Sequence, residues 1–436
     1  MTKTKQHHCP ALLISAPASG QGKTTFTAAL ARYHRNQGRK VRVFKTGPDF
    51  LDPMILERAS GNPVYQLDLW MVGEQACKQQ LYEAAGDADL ILIEGVMGLF
   101  DGNPSSADLA EKFGIPVLAL IDASAMAQTF GALAHGLAHY RESLPFAGVV
   151  ANRVASQGHA DMLAESITDS TPYYGCLMRD ENIILPDRHL GLFQANEIDD
   201  LEHRLEQAVE AIAQTKLSEL PTPVSFNETS TVTPEALLDG ITIGIAKDDA
   251  FSFIYTANID CLKQLGADLI FFSPLQDKSL PDVDCLWLPG GYPELHLKII
   301  ENNYSMREAI KSHHAENKPI LAECGGMLYL LNSLTDKENN RAEMIGIIDG
   351  DGVMQKKLAG LGMQAVELHN DKVTAHTFHH STMETKLKAV THGIRQRGKS
   401  LGEAVYQDKN ITASYLHLYF ASNPKVVAQL FTADNN

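Results

Sequence analysis

Short apolar runs recur along the first half of the chain, each followed by a polar loop and a stretch with helical periodicity. The runs lie at 11–14, 41–44, 89–93, 116–121 and 146–150. Runs this short and this uniformly apolar are typical of parallel strands buried on both faces of a sheet. Their alternation with helices predicts a doubly wound parallel α/β sheet.

The same alternation restarts in the second half, after a polar segment rich in proline and threonine. This segment, 216–238, has no periodicity and is predicted to be a linker. We therefore predict two α/β domains, at 1–238 and 239–436. The strands predicted in the second domain are 241–246, 268–272, 285–288 and 319–323, and its predicted helices are 255–265 and 327–334.

Composition narrows the class of protein without changing this picture. A chain of 436 residues is too long for one ordinary core, which again favours two domains. No apolar run reaches the roughly 18 to 20 residues of a membrane helix, and the polar N-terminus does not resemble a signal peptide. We therefore expect a cytoplasmic protein. The net charge of −16, with no basic block to offset it, argues against nucleic acid as a partner.

The six cysteines are dispersed along the chain and form no C-x-x-C pair. This spacing is typical of reduced cytosolic thiols and disfavours a disulfide framework or a zinc site. Most of them are predicted to be small core residues, and Cys324 is the exception.

The first strand leads into a loop of small residues and then into Gly22-Lys23-Thr24-Thr25, which opens a helix. This arrangement is typical of a phosphate-binding loop, because small residues expose backbone N–H groups and the helix N-terminus favours anions. Pro17 stands where the strict pattern has glycine, and a glycine-rich turn without function is the alternative. Lys23 is predicted to neutralise phosphates and Thr24 to bind Mg²⁺. The predicted ATP-binding residues of this loop are Gly20, Gln21, Gly22, Lys23, Thr24 and Thr25.

Polar residues follow three of the predicted strands, at the sheet edge where ligands bind in open α/β folds. Lys45 and Asp49 come after the second strand, with Asp52 close behind as either a ligand or a solvated turn residue. Glu94 ends the run at 89–93, as a Mg²⁺-organising carboxylate or as a simple cap. Asn152 can read an adenine edge, and an ordinary turn residue is the alternative.

Cys324 lies between a buried strand and a helix, with two glycines behind it. Such an elbow exposes a nucleophile, and the helix N-terminus is expected to lower the pKa of the thiol. Backbone N–H groups of Gly290, Gly291 and Gly325 are predicted to form an oxyanion hole. His417, at the end of a predicted late strand, is the candidate base.

These motifs together resemble the cobyrinic acid a,c-diamide synthase family, and the likeness covers nearly the whole chain. The resemblance is carried in the first domain by APASGQGKTT at 16–25, KTGPDF at 45–50 and LPDRHLGL at 185–192. In the second domain it is carried by LPGGYPE at 288–294, ECGGM at 323–327 and SYLH at 414–417. It implies a dethiobiotin synthetase-like P-loop domain followed by a flavodoxin-like class I glutamine amidotransferase domain.

The resemblance also implies an activity and a set of roles. The enzyme would use ATP and glutamine to amidate the a and c acetate groups of cobyrinic or hydrogenobyrinic acid, in cobalamin biosynthesis. Mg²⁺ would be bound by Thr24, Asp49 and Glu94, with Lys23 and Lys45 on phosphates. Cys324 would be the glutaminase nucleophile and His417 its base. The corrinoid is predicted to contact Asp52, Asp101, His376 and His379, and the protein is predicted to be a homodimer.

Two regions depart from the family pattern, both where the tetrapyrrole is expected to bind. Leu56 stands where a histidine is usual, and AHTFHHS at 375–381, with Thr377 in place of glutamate, stands where the family commonly has GHEFHYS. Tyr419 stands where many amidotransferases carry the glutamate of the triad; this family tends to lack that acid, so the third member is not assigned.

Two alternative functions stay open at this point. One is the same chemistry on another tetrapyrrole, such as a nickel sirohydrochlorin, or on other corrin side chains. The other is a deviant P-loop ATPase that acts as a dimeric switch. Ala18 stands where that class has its signature lysine, and a switch has no use for a Cys–His domain.

Overall fold

The computed structural model describes residues 5–188, 191–229, 233–398 and 400–432, and it divides into two compact units, Met1–Thr231 and Val232–Asn436. Each unit is built around one central sheet with helices packed on it, which confirms the predicted two-domain α/β architecture. Among the residues that the structure describes, none of the helices combines the length and apolarity needed to cross a membrane.

The first unit contains an eight-stranded sheet in the order β3-β2-β4-β1-β5-β6-β7, with β10 paired to β1. Its strands are β1 (Gln6–Ser15), β2 (Val41–Thr46), β3 (Tyr65–Leu67), β4 (Leu90–Glu94), β5 (Val117–Asp122), β6 (Phe146–Val154), β7 (Tyr173–Met178), β8 (Asp187–Arg188), β9 (Gly191–Leu192) and β10 (Pro223–Asn227). Its helices are α1 (Lys23–Asn36), α2 (Leu51–Ser60), α3 (Glu74–Ala85), α4 (Ser106–Phe113), α5 (Thr129–His139), α6 (Gln157–Glu165) and α7 (Leu201–Ala213).

All ladders between β1 and β7 are parallel, and strand order reverses at β1. The central strands are apolar on both faces because helices cover both sides; every residue of β4 is buried, including Glu94. The loops after β1, β2 and β4 therefore meet at the carboxyl edge of the sheet, beside the strand-order reversal where ligands bind in such folds.

Part of the segment predicted as a linker is ordered. β10 pairs antiparallel with the first half of β1, and the side chain of Phe226 is buried in this pairing. The linker prediction missed this strand because β10 exposes most of its side chains, so its composition resembles that of a loop.

The second unit contains a ten-stranded mixed sheet in the order β12-β11-β13-β14-β23-β22-β21-β18-β19-β24, and a small sheet β16-β15-β17-β20. Its strands are β11 (Thr242–Ala246), β12 (Asp268–Phe272), β13 (Cys285–Leu288), β14 (Ile320–Glu323), β15 (Ser333–Thr335), β16 (Arg341–Glu343), β17 (Gly350–Met354), β18 (Gly360–Leu368), β19 (Asp371–His379), β20 (Ser381–Thr385), β21 (Ala389–Arg395), β22 (Leu401–Asp408), β23 (Ile411–Ser414) and β24 (His417–Leu418). Its helices are α8 (Thr256–Gln264), α9 (Leu297–Asn302), α10 (Tyr304–Ala315), α11 (Gly325–Leu330) and α12 (Pro424–Leu430).

Strands β12, β11, β13, β14 and β23 form the parallel part of this sheet, and the later strands extend it by antiparallel pairing. Two apolar clusters, one on each face, pack around Trp287 and Tyr329, which are both fully buried. The helix predicted over 327–334 instead ends at Leu330, because Leu331 is extended and the chain turns into β15.

Candidate active sites

The loop between β1 and α1 has the backbone of a phosphate cradle. Gly20 and Gly22 adopt positive φ angles of 77° and 89°, and Gly22 caps the N-terminus of α1. The ammonium group of Lys23 donates hydrogen bonds to the carbonyls of Ala18 (3.2 Å) and Met97 (2.7 Å). The loop is thus held closed around its lysine.

A cavity of about 680 Å³ opens beside this loop, entirely within the first unit. It is lined by the phosphate loop, by the loop after β4, and by residues at the ends of β6 and β7, among them Asn152, Arg153 and Arg179. Four charged residues form one wall, namely Lys45, Asp49, Asp52 and Glu94. A cavity of this size fits a nucleotide or a comparable ligand.

The charged wall is organised around the buried ammonium group of Lys45. Its Nζ lies 2.7 Å from Glu94 Oε1, 2.5 Å from Asp52 and 3.6 Å from Asp49. The hydroxyl of Thr24 donates to the same Glu94 oxygen, at 2.9 Å. The structure therefore brings together Thr24, Lys45, Asp49 and Glu94, as predicted from three separate strand ends, and adds Asp52 to the cluster.

Burial dominates the electrostatics of this cluster. It raises the pKa of Glu94 to about 7 and that of Asp49 to about 8, where the charge of Asp52 adds to the effect. Burial also raises the pKa of Asp52, but the ammonium of Lys45 outweighs it and holds that pKa below its usual value. For Lys45 burial lowers the pKa, yet the carboxylates of Asp52 and Glu94 bring it above its ordinary value. Lys45 therefore stays charged.

The donor set at this wall fits a hard cation such as Mg²⁺. Carboxylate and hydroxyl oxygens are the ligands that Mg²⁺ prefers. Glu94 Oε2 is buried and has no hydrogen-bond partner among the described residues, which leaves one oxygen available to a cation. No group of three or more His, Cys, Asp or Glu side chains within the described ranges has the geometry of a preformed metal site.

Two other predicted nucleotide residues support the loop from behind. The amide of Asn152 donates to the carbonyl of Gln21 at 2.8 Å, and its oxygen accepts from the backbone of Arg153. The side chain of Gln21 accepts from the backbone N–H of Asp122, also at 2.8 Å. In this structure the Asn152 amide thus braces the phosphate loop, although Asn152 also lines the cavity.

The four predicted substrate residues are divided equally between the two units. Asp52 belongs to the lysine-centred cluster, whereas Asp101 is exposed and accepts a hydrogen bond from Gly98 N. His376 and His379 are buried in the second unit.

The second unit carries the predicted elbow at Cys324. This residue joins β14 to α11 with φ 47° and ψ −105°, a conformation that is strained for any residue with a side chain. Directly behind it, a Cβ on Gly326 would lie 2.0 Å from the carbonyl oxygen of Leu288, so only glycine fits there. The backbone is folded to present the thiol at a fixed point.

The predicted oxyanion glycines surround this point. A Cβ on Gly290 would lie 2.3 Å from Cε1 of His417 and 3.4 Å from Cβ of Cys324, so Gly290 sits between the two side chains. The backbone N of Gly291 would lie 3.0 Å from a Cβ on Gly325. The structure thus brings Cys324, His417 and the three glycines into one place. The N–H of Cys324 itself donates to the Ser414 carbonyl at 2.7 Å and is not available to an oxyanion.

The electrostatics of the thiol differ from the prediction. Burial, followed by the negative charge of Glu294, raises the pKa of Cys324 well above its usual value. The N–H of Gly325, at the start of α11, lowers the pKa of the thiol as expected, but its effect is smaller than that of burial. Burial and the proximity of His376 lower the pKa of His417. At rest the two groups are therefore a neutral thiol beside a neutral imidazole, and the helix N-terminus does not override desolvation.

Two residues of this site were not identified from the sequence. Glu323 accepts hydrogen bonds from Trp287 Nε1 (2.9 Å) and from the backbone N–H of Leu418 (2.8 Å), and so ties the elbow strand to the strand of the histidine. An acid inside an apolar run, immediately before the cysteine, was the available signal. Tyr255 bonds to His376, and nothing in its sequence context indicated that contact.

Two models of known protein families match most of the chain. Residues 12–192 match the CobQ/CobB/MinD/ParA nucleotide binding domain, and residues 242–425 match the CobB/CobQ-like glutamine amidotransferase domain.

Curated relatives match the chain over almost its full length. A hydrogenobyrinate a,c-diamide synthase of Stutzerimonas stutzeri is 59% identical over 423 residues, which is 97% of this chain and 98% of the relative. The protein of the same name from Pseudomonas aeruginosa is 56% identical over 98% of both chains. A cobyrinate a,c-diamide synthase of Herminiimonas arsenicoxydans is 46% identical over 97% of both.

Proposed function

The chain belongs to the hydrogenobyrinate and cobyrinate a,c-diamide synthase family, and from this membership we propose that it amidates the a and c acetate carboxylates of hydrogenobyrinic acid. It is a glutamine-dependent, amide-forming ligase with a nucleotide-binding domain. The observation that carries the proposal is the presence in one chain of a lysine-bearing phosphate loop and a cysteine elbow with an adjacent histidine.

The first unit would activate the carboxylate. A carboxylate oxygen of the corrin attacks the γ-phosphorus of ATP, the bond to the β-phosphate oxygen breaks, and ADP leaves an acyl phosphate behind. Lys23, buried at the phosphate loop, would offset the charge on the transferring group. Lys45 would exchange part of its contact with Asp52 and Glu94 for a phosphate oxygen.

Thr24, Asp49 and Glu94 are the residues that would hold Mg²⁺, which supplies charge neutralisation to the phosphates when it is bound. Their approach to one another around Lys45 supports this assignment. Asp52 is the further carboxylate within reach and keeps Lys45 in place.

The second unit would release ammonia from glutamine. His417, neutral at rest, takes the proton of Cys324 as the sulfur attacks the side-chain carbonyl carbon, and the carbonyl oxygen gains negative charge. Backbone N–H groups of Gly291 and Gly325 would stabilise that charge, and the closeness of the Gly291 nitrogen to Gly325 supports this role. Return of the proton to the leaving nitrogen expels ammonia and leaves a thioester, which water hydrolyses to glutamate.

Coupling the two sites explains the use of glutamine. Free ammonia is mostly protonated near neutral pH, and the ammonium ion is no nucleophile. Ammonia expelled as the thioester forms is neutral and attacks the acyl phosphate, so that the amide forms and phosphate leaves. Each amide thus consumes one ATP and one glutamine.

Mass spectrometry with isotope-labelled glutamine tests this function. The enzyme is incubated with ATP, glutamine carrying ¹⁵N in its amide, and either hydrogenobyrinic acid, cobyrinic acid or a nickel sirohydrochlorin. We expect two labelled nitrogens in hydrogenobyrinic acid. Label found only in one of the other acids would overturn the proposed substrate, and ATP hydrolysis without amidation of any of them would favour the ATPase switch.

The variant Cys324→Ala separates the two sites in the same assay. We expect no label from glutamine but continued label from a high concentration of ¹⁵N-ammonium, because activation of the carboxylate does not need the thiol. Normal glutamine-dependent turnover by this variant would contradict the assignment of Cys324. Cytoplasmic location and a homodimer stay predictions, which cell fractionation and light scattering address.

A further inference from the structure

His376 faces the proposed base His417 on the neighbouring strand. The two residues are directly paired in the antiparallel ladder between β19 and β24. Their rings are stacked, with centroids 4.9 Å apart and planes 20° from parallel. Both side chains are buried, at 4% and 2% exposure. His376 therefore covers one face of the His417 imidazole.

The ring of His376 is itself held in a fixed orientation. The hydroxyl of Tyr255, just before α8, lies 2.8 Å from His376 Nδ1 in a buried hydrogen bond. Tyr255 in turn packs edge-on against Tyr419, with ring centroids 5.7 Å apart. Tyr255 and Tyr419 are both almost fully buried. This chain of contacts leaves the His376 ring little freedom to rotate.

Stacking of this kind suits an imidazole that gains a proton during the reaction. Two adjacent imidazoles do not both carry a charge, since like charges at this distance repel. Burial lowers the pKa of His376 to about 3 and also lowers that of His417, so both rings are neutral at rest. His417, which meets Gly290 on the side of Cys324, is the ring placed to take the proton of the thiol. The face of a neutral aromatic ring attracts a neighbouring cation, which favours the imidazolium at the moment it forms.

We propose that His376 is a positioning residue of the glutaminase site, and that its ring, anchored by Tyr255, holds His417 by stacking in the orientation that accepts the Cys324 proton. The inference rests on the proposed roles of Cys324 and His417. The sequence predicted that His376 contacts the substrate, and the inference gives it a positioning role instead. The burial of His376 inside the second unit supports the positioning role.

The test compares two substitutions of His376 by apolar residues, which suit its buried position. In His376→Leu the flat ring is lost, and we expect kcat for glutamine hydrolysis to fall roughly 10- to 100-fold, since a small misplacement of the base has an effect of that size. KM for glutamine should change less than about threefold, because no substrate contact is removed. In His376→Phe a ring face remains, and kcat should recover to within about fivefold of the original enzyme.

A matched control is His313→Leu, since His313 is a buried histidine of the same unit, on α10, with Nε2 3.4 Å from the Pro319 carbonyl. It should keep the original kcat. Trp287 fluorescence, measured with Trp70→Phe in every protein, reports whether the second unit of each variant is folded. Amidation from ammonia, which needs neither stacked histidine, reports on the first unit.

Each outcome of this series decides the inference. Original kcat in His376→Leu would overturn it, and so would a His376→Phe variant as slow as His376→Leu, because the ring face would then be irrelevant. If Cys324→Ala kept its use of glutamine, the proposed function itself would fail. If Cys324→Ala lost glutamine hydrolysis while His376→Leu kept it in full, only the role of His376 would be rejected.

Discussion

At the scale of single residues, Glu323 connects the geometry of the glutaminase site to its stability. Its buried carboxylate accepts hydrogen bonds from the Trp287 indole and from the backbone N–H of Leu418, the residue after His417. Burial raises its pKa from an ordinary value of 4.5 to about 8. The folded protein therefore binds a proton that the unfolded chain releases between roughly pH 4.5 and 8.

This shift predicts how stability depends on pH. Unfolding releases the Glu323 proton within that window, so this residue makes the fold less stable as pH rises, by up to about 1.4 kcal/mol per pH unit. Glu323→Gln removes the titration. The unfolding free energy of the variant minus that of the original protein should therefore rise steadily from pH 5 to pH 8.

Urea unfolding followed by Trp287 fluorescence measures this difference, with Trp70→Phe in both proteins to remove the second tryptophan. The exposed Glu338 gives the control, because Glu338→Gln should show no such trend. A difference for Glu323→Gln that is constant over this range would contradict the prediction.

At the scale of elements, the elbow between β14 and α11 was predictable and its surroundings were not. The pattern of apolar strand, cysteine and two glycines specifies the elbow locally, and the structure has it at Cys324. The end of α11 was missed because the apolar residues after Leu330 fit a helix and a strand equally well. The pairing of β10 with β1 was missed because it joins residues far apart in sequence, and Phe226 is the one buried side chain of β10.

The elbow makes a prediction at this scale. In Gly326→Ala the new methyl group would overlap the Leu288 carbonyl, and because backbone cannot move aside cheaply, β13 and α11 must separate. We expect glutamine-dependent amidation to fall about 100-fold or more, whereas amidation from ammonia should persist. Steady-state assays with both nitrogen donors measure the effect.

Gly136→Ala is the control for this substitution, because a Cβ at that position in α5 meets no atom within 4 Å. It should leave both activities intact and stabilise the helix by about 0.5 to 1 kcal/mol. A Gly326→Ala variant with normal glutamine use would show that the tight turn is not needed.

At the scale of the whole molecule, we propose that carboxylate activation and nitrogen supply belong to separate compact units. The two phosphate-site lysines and three carboxylates all belong to the first unit, and the thiol and its histidine belong to the second. Sequence motifs were enough to assign each residue to its half. They did not reveal that Lys45 gathers three carboxylates, because that contact depends on how β2, α2 and β4 meet in space.

This division predicts opposite defects in two variants. Glu94→Gln removes the charge that Lys45 and Thr24 contact, and we expect amidation to fall at least about 100-fold with either glutamine or ammonia, while glutamine hydrolysis continues. Cys324→Ala should lose glutamine hydrolysis and keep amidation from ammonia.

The exposed Glu210 on α7 serves as the control, and Glu210→Gln should behave as the original enzyme. The measurement is product formation alongside glutamate release for each protein. A Glu94→Gln variant that amidated normally from ammonia would contradict the role of this carboxylate.

The neutral state of Cys324 also affects how readily its thiol is oxidised. Peroxides oxidise the thiolate form of cysteine to sulfenic acid and then, irreversibly, to sulfinic and sulfonic acids. A thiol that is 5% exposed, and whose pKa burial raises, offers oxidants almost no thiolate between turnovers. If Cys324 is the nucleophile we propose, the burial that keeps its thiol protonated at rest also slows its oxidation between turnovers.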